Sequence, residues 1–288
     1  MQPTTQRVGL LGWPVDHSVS PAMHNAAFQA LGLDWDYSLL PAEPGQVEAA
    51  VTRLRQKGFR GANVTVPHKQ AIMPCLDQIT PAAQAIGAVN TIVAHDGSLT
   101  GHNTDAGGFL LSLQRSGFKT ANRRALVLGA GGAARAVVYA LLDSGFAQVT
   151  VLDRTPQHAD QLALQLGSLH DWSGRLRALP LTAETLVQTA ATVDLLVNAT
   201  TAGMWPQAGE SLWPDGRPIP PHLAVFDLVY NPPATRLLQQ ARASGAHPIG
   251  GLEMLVRQGA LAFELWTGQS PPVKVMRAAA RQAIRRWR

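Results

Sequence analysis

Residues 126–135 read Leu-Val-Leu-Gly-Ala-Gly-Gly-Ala-Ala-Arg, and a second apolar run, 149–153, ends in Asp153, 24 residues beyond Gly129. A strand, a glycine turn and a helix N-terminus in that order make a cradle for a pyrophosphate. The unpaired N–H groups and positive dipole end of the helix face the anion. Gly129 permits the tight turn, Gly131 lets the backbone approach the phosphates, and small Ala134 lets the helix pack closely on the strand. A glycine pattern alone also fits an ordinary loop. The strand before it, the helix after it and the acid-ended second strand complete a unit of about 30 residues, which decides for a dinucleotide-binding fold.

Downstream of this unit, strand–helix alternation continues from 124 to about 250. Strands are expected at 125–128, 149–152, 176–180, 195–198, 224–228 and 247–249, which predicts a doubly wound parallel sheet. Upstream, the first 104 residues alternate on their own account. Strands at 7–12, 35–40 and 61–66 are interleaved with helices at 20–30, capped by Ser20 with Pro21 at its first position, and 45–57. Pro67 starts a further helix, and 88–94 with 99–103 makes a hairpin about Asp96-Gly97. Asp105 opens a helix, 106–115, that crosses between domains, and helices at 252–267 and beyond finish the chain. The segments 167–175 and 205–221, rich in Pro, Gly and Trp, are expected as irregular surface loops, the second of them mobile.

The bulk properties fit that organisation. At 288 residues two domains are favoured, and 46% apolar with 15% charged residues suits a soluble α/β enzyme rather than a disordered chain. The single cysteine, Cys75, excludes an intrachain disulfide and suits a reducing compartment. Residues 1–7 lack the apolar core of a signal peptide, and no run approaches the roughly 18 apolar residues of a membrane span, so a cytoplasmic protein without a membrane partner is expected. The net charge of +5 resides in the last sixteen residues, where Lys274, Arg277, Arg281, Arg285, Arg286 and Arg288 meet no acid. Arg277, Arg281 and Arg285 form the wet face of a terminal helix with Val275, Ala279 and Ile284 inward; an anionic surface partner is the alternative. No aromatic platform accompanies these bases, so no nucleic-acid partner is expected.

Three polar segments interrupt the first domain. In His17-Ser18-Val19-Ser20-Pro21 the Ser20 hydroxyl has an obvious duty as a cap and Ser18 has none. Two hydroxyls at one strand-to-helix turn also suit a polyol or carboxylate ligand. In Asn63-Val-Thr65-Val-Pro67-His-Lys69, alternation places Asn63 and Thr65 on one face at the carboxyl end of a strand, where open α/β sheets bind ligands. Lys69 then falls in the first helical turn, where the macrodipole disfavours a cation, marking either a solvated surface lysine or an acid–base group. In Asn90-Thr91 and Asn103-Thr104-Asp105, the Asp105 carboxylate either caps the next helix or pairs with a lysine.

The ordered set His17-Ser-x-Ser-Pro21, Asn63-Val-Thr-Val-Pro-x-Lys69, Gly87-Ala-Val-Asn-Thr91, Asn103-Thr-Asp105, Gly129-Ala-Gly-Gly-Ala133, Asn198-Ala-Thr200, Asp227-Leu-Val-Tyr-Asn231 and Gly251-Leu-x-Met-Leu-Val-x-Gln258 closely resembles the shikimate dehydrogenases, from Val8 to about Gly268. The resemblance implies reversible, usually NADPH-dependent reduction of 3-dehydroshikimate to shikimate on the route to chorismate and the aromatic amino acids. It implies a two-domain α/β fold in which a mixed-sheet substrate domain, residues 1–104 and 252–288, meets a Rossmann domain, residues 105–251, across a cleft that closes on ligand. By that resemblance Lys69 and Asp105 are the catalytic pair, Ser18 and Ser20 hold the substrate carboxylate, and Thr65, Asn90 and Gln258 bond ring hydroxyls. Tyr230 completes the pocket. The cofactor falls to Gly129, Ala130, Gly131, Gly132, Ala133, Asp153, Arg154, Thr155, Asn198, Thr200 and Gly251. No metal is expected, and the chain works as a monomer or homodimer.

The cofactor clamp departs from the family pattern. NADP-using relatives usually carry Asn-Arg-Thr after the second nucleotide strand and often another Arg a turn later; here Asp153-Arg154-Thr155 is followed by His158. Arg154 and Thr155 suit a 2′-phosphate. Asp153 suits ribose hydroxyls and leaves an NAD-dependent quinate/shikimate dehydrogenase as the alternative to NADP. A non-catalytic ligand sensor on this scaffold is the reading from a different class; intact Lys69 and Asp105 speak against it.

Overall fold

The computed structural model describes residues 5–169 and 172–286. His170 and Asp171 of the 167–175 segment, and Arg288 of the basic run, lie outside them. The chain folds as two compact units. One runs to Gly108 and resumes at Val256, and the other is Phe109–Leu255. No helix among the described residues is long and apolar enough to cross a membrane.

The first unit is built on strands β1 (Gln6–Gly12), β2 (Trp35–Pro41), β3 (Gly61–Val64), β4 (Gln78–Ile79), β5 (Thr91–His95) and β6 (Ser98–His102). They form one sheet in the order β2-β1-β3-β5-β6-β4. β1 pairs in parallel with β2 and β3, whereas β3–β5 and β5–β6 are antiparallel, so the sheet is mixed. The β5–β6 hairpin turns at Asp96 and Gly97, both with positive φ, as a two-residue loop requires. Helices α1 (Ser20–Ala30), α2 (Val47–Gln56) and α3 (Pro81–Ile86) accompany the strands, and α4 (Asp105–Arg115) leads out of the unit. α2 places Val47, Ala50, Val51 and Leu54 over Leu11, Ala62, Val64 and Ile92 in one apolar cluster.

The segment from Pro67 to Ile72 is a series of turns, not the expected helix, and only Met73–Cys75 winds into a 3₁₀ turn. Lys69 therefore does not stand in the first turn of a helix and meets no helix dipole there.

The second unit carries β7 (Arg124–Leu128), β8 (Gln148–Asp153), β9 (Leu176–Pro180), β10 (Leu195–Asn198), β11 (Ala224–Asp227) and β12 (His247–Gly250), with α5 (Gly132–Asp143), α6 (Pro156–Gly167), α7 (Ala183–Ala190) and α8 (Arg236–Ala243). All pairings are parallel in the order β12-β11-β10-β7-β8-β9. This is the doubly wound arrangement, its strand order reversing between β7 and β10. Segment 205–221 is irregular as expected but is anchored: Trp213 and Ile219 are buried in the core with Leu186, Leu223 and Leu237, and the Trp213 indole donates to the Arg217 carbonyl at 2.8 Å. Its composition signals irregular backbone, which is no measure of exposure.

Two helices close the chain, α9 (Leu252–Thr267) and α10 (Val273–Arg285). α10 packs on α1 and buries Met276, Ala280 and Ile284, while Val275 is exposed. The inward stripe is thus one residue out of phase with the expected Val275–Ala279 face. Arg281 and Arg285 remain in water.

Candidate active site

In the first unit, the polar residues singled out from the sequence gather at the carboxyl ends of β1 and β3 and around the base of α4. Lys69 Nζ donates to Asp105 Oδ2 at 2.6 Å, with the two side chains only 13% and 7% exposed. Asp105 is the first residue of α4, but the Asn103 side chain accepts the Ala106 N–H at 3.2 Å, so the carboxylate is left for the lysine. Its other oxygen, Oδ1, accepts from Asn90 Nδ2 at 2.9 Å. The Lys69 backbone is held by Val89 N–H donating to its carbonyl at 2.8 Å, and neighbouring His68 is pinned to Ala42 O at 2.7 Å. A lysine so placed is oriented by the carboxylate, and its amino group can give a proton to a developing alkoxide or take one back.

Asn90 Nδ2 also faces Thr104 Oγ1 at 2.9 Å and Gln258 Oε1 at 3.3 Å. Gln258 reaches it because α4 and α9 approach closely at Gly108, where a Cβ would lie 2.7 Å from the Gln258 backbone nitrogen. The pair Gly107-Gly108 inside a helix is the sequence signal for such a crossing.

The two serines exchange the duties expected of them. Ser20 is the first residue of α1 behind Val19, with no side-chain cap, and Ser18 Oγ accepts the Ser20 N–H at 3.2 Å. Capping therefore falls to Ser18, and the buried Ser20 hydroxyl has no cap role. Thr65 is half-buried just past β3.

In the second unit, Gly129 follows β7 at the switch point with φ +100°, and a Cβ there would lie 3.0 Å from Thr200 Cγ2. Gly131 precedes α5, and a Cβ there would meet nothing within 4 Å. Bare backbone thus faces open space at the N-terminus of a helix whose Ala134 is buried, as a phosphate requires. Ala130 lies between the two glycines, and Gly132 and Ala133 open α5. Beyond β10, Asn198 Oδ1 accepts from Thr200 Oγ1 at 2.7 Å, while Asn198 Nδ2 donates to Asp227 at 2.9 Å. Gly251 lies against the β11 exit, where a Cβ would overlap the Leu228 carbonyl. Tyr230 is half-buried beyond β11.

Beyond β8, Asp153 Oδ1 accepts the Thr155 N–H at 2.8 Å and stands 3.9 Å from His158 Nδ1. Arg154 is exposed and, with Thr182, Ser211 and Arg236, lines a hollow of about 350 Å³.

Asp227 lies in one of the family blocks, but nothing in the sequence marks it for a role of its own. It is fully buried and accepts from Asn198 Nδ2, Val229 N–H and Thr235 Oγ1, the last at 2.5 Å. Burial pushes its carboxyl up from the ordinary range against the pull of those three bonds. It ties the ends of β10 and β11 to the cap of α8. Among the described residues no group of three or more His, Cys, Asp or Glu is placed to hold a metal ion.

A Rossmann unit with its glycine turn at the switch point, in one chain with a lysine–carboxylate pair withdrawn from water, defines a dinucleotide-dependent oxidoreductase. Residues 10–92 match the shikimate dehydrogenase substrate binding domain, 112–205 the shikimate/quinate 5-dehydrogenase family and 251–281 the shikimate 5′-dehydrogenase C-terminal domain. The chain is 46% identical to the NADP(+) shikimate dehydrogenase of Moorella thermoacetica, covering 98% of this chain and 94% of that one. The Thermus thermophilus shikimate 5-dehydrogenase, solved with NADP(H) and shikimate, superposes with a TM-score of 0.85 at 44% identity over 96% of this chain and 99% of that chain. The quinate dehydrogenase of Corynebacterium glutamicum, solved with NAD, also gives 0.85, at 32% identity over 96% and 98%. The chain belongs to the shikimate dehydrogenase family.

Proposed function

We propose that this chain catalyses the reversible, NADP-dependent interconversion of shikimate and 3-dehydroshikimate. The observation that carries the reading is the Lys69–Asp105 pair, closed at 2.6 Å within one unit, with Gln258 on the same Asn90 amide that supports Asp105. The dinucleotide supplies the hydride acceptor for oxidation and the hydride donor for reduction. On oxidation Lys69 takes the proton from the reacting hydroxyl; on reduction it returns the proton to the developing alkoxide, with Asp105 orienting the ammonium. Ser18 and Ser20 receive the substrate carboxylate, and Thr65 and Gln258 read ring hydroxyls. Asn90, whose amide is directed at protein partners, reaches a hydroxyl only by exchanging one of them, so its chief contribution is to hold Asp105. Tyr230 is the remaining residue that the family resemblance assigns to the substrate. A site that reads hydroxyls discriminates strongly, because an analogue lacking one leaves buried polar groups unpaired.

The residues of the second unit fit a dinucleotide. The pyrophosphate would lie on the bare backbone of 129–133 at the start of α5, with Asn198, Thr200 and Gly251 framing the turn. Arg154 and Thr155 would hold a 2′-phosphate, and Asp153 is turned toward Thr155 N–H, which lessens its opposition to that charge. An NAD-dependent quinate or shikimate dehydrogenase is the second reading, favoured by Asp153 itself.

Initial rates of the purified chain in the oxidative direction, with shikimate and quinate each paired with NADP and NAD, test the reading. Fast turnover confined to shikimate with NADP is expected. Preference for NAD with quinate accepted establishes the second reading, and no turnover of folded protein in any pairing overturns both.

A further inference from the structure

Behind the Lys69–Asp105 pair lies a buried chain of side chains, Tyr37, Asn63 and Thr91, that are assigned to no ligand and that end on Asn90. Tyr37, 1% exposed on β2, donates its hydroxyl to Asn63 Oδ1 at 2.9 Å. Asn63 Nδ2, on β3, donates to Thr91 Oγ1 at 3.0 Å, on β5. Thr91, fully buried, thus has its oxygen accepting from Asn63 and one proton left to give, with Asn90 Oδ1 and Thr104 Oγ1 each 3.2 Å away. Asn90 Oδ1 also receives the Thr104 N–H at 2.6 Å, and Asn90 Nδ2 donates to Asp105 Oδ1 at 2.9 Å.

Resting on the function proposed above, we infer that Tyr37, Asn63 and Thr91 are positioning residues that set the Asp105 carboxylate through Asn90. Three observations carry this. Every bond from Tyr37 to Asp105 runs donor to acceptor in the same sense, so each polarises the next and the chain ends with a positive edge toward the carboxylate. The sense of the Asn90 amide matters: reversed, it would aim its oxygen at a carboxylate oxygen and its NH₂ at the Thr104 N–H. Thr91 and the Thr104 backbone therefore hold the one orientation in which Asp105 is supported. Finally, the chain links three strands through side chains that are nine-tenths or more buried, where an unmade hydrogen bond is costly and a made one is rigid.

The contribution is to the geometry of proton transfer more than to substrate affinity, since Tyr37, Asn63 and Thr91 are assigned no substrate contact and the Asn90 amide is engaged by Thr104, Asp105 and Gln258. Thr91→Val keeps the shape and removes the hydroxyl that joins the Asn63 side chain to that of Asn90. It is expected to lower kcat for shikimate oxidation with NADP about tenfold, leave KM for shikimate within about twofold and leave the melting temperature within a few degrees. Thr91→Ser, which restores the hydroxyl, is expected to recover kcat to within about twofold of wild type. Tyr37→Phe removes the far end alone and is expected to shift kcat in the same direction by a smaller factor, which keeps the inference testable where Thr91→Val does not fold. Unchanged kcat in Thr91→Val overturns the relay, and in its place unchanged kcat in Tyr37→Phe does so. A loss shared by kcat, KM and melting temperature that serine fails to rescue overturns it in favour of a purely structural role. An inactive wild type overturns the functional reading itself, and the relay with it.

Discussion

Arg154 directly follows β8, and Asp153 beside it has an oxygen committed to the Thr155 N–H. If Arg154 holds a 2′-phosphate, its removal subtracts a charge-assisted hydrogen bond from the cofactor and nothing from the proton chemistry. Arg154→Ala is expected to raise KM for NADP roughly 10- to 100-fold and leave KM for NAD nearly unchanged. Equal effects on both cofactors, in parallel saturation curves, would place Arg154 outside the phosphate site. Residue types are legible where chemistry demands them: Lys69 and Asp105 stand out from their place in the sequence, and Gln258 from the family resemblance alone. Duties within a turn are not. Ser20 looks like a cap because it precedes Pro21, yet the chain enters α1 one residue earlier and the accepting oxygen belongs to Ser18.

Elements follow the same division. Long apolar strands with glycine or acid at their ends, such as β7 and β8, are set by local pattern and fall where expected. The segment after Pro67 is expected as a helix from that proline alone, but its Lys69 carbonyl is taken by Val89 N–H and its local bonds, such as Ile72 N–H to His68 O, close only separate turns. Two-residue β4 and six-residue α3 are too short to show a period in the sequence. Packing among α1, β2 and α9 gives a test. His24 lies fully buried, stacked at 4.5 Å on Tyr37 and 5.4 Å from Trp266, with both ring nitrogens unpartnered. Burial pushes its pKa down to about 3. The unfolded chain therefore binds a proton that the folded chain refuses, and stability present above about pH 6.5 is lost as pH falls toward 3. His24→Phe keeps an aromatic ring without the titration. Its denaturation midpoint should fall less than that of wild type between pH 7 and pH 5, and equal falls would show that His24 is not the acid-sensitive group.

At the scale of the molecule, chemistry is divided between two units of one chain. In the function proposed above, proton handling falls to Lys69 and Asp105 in the first, and dinucleotide binding to the 129–133 turn and Arg154 in the second. The family blocks run through both in order, and for that reason the function is readable from the sequence while the support behind Asp105 is not. Tyr37, Asn63 and Thr91 come from three strands far apart in the chain, and only the sheet order β2-β1-β3-β5 assembles them. The central claim is that Lys69 moves the proton. It is tested most directly by kcat for shikimate oxidation by Lys69→Ala at saturating NADP. The account predicts a fall of roughly 10²- to 10⁴-fold with the fold intact; a kcat within a few-fold of wild type would contradict it.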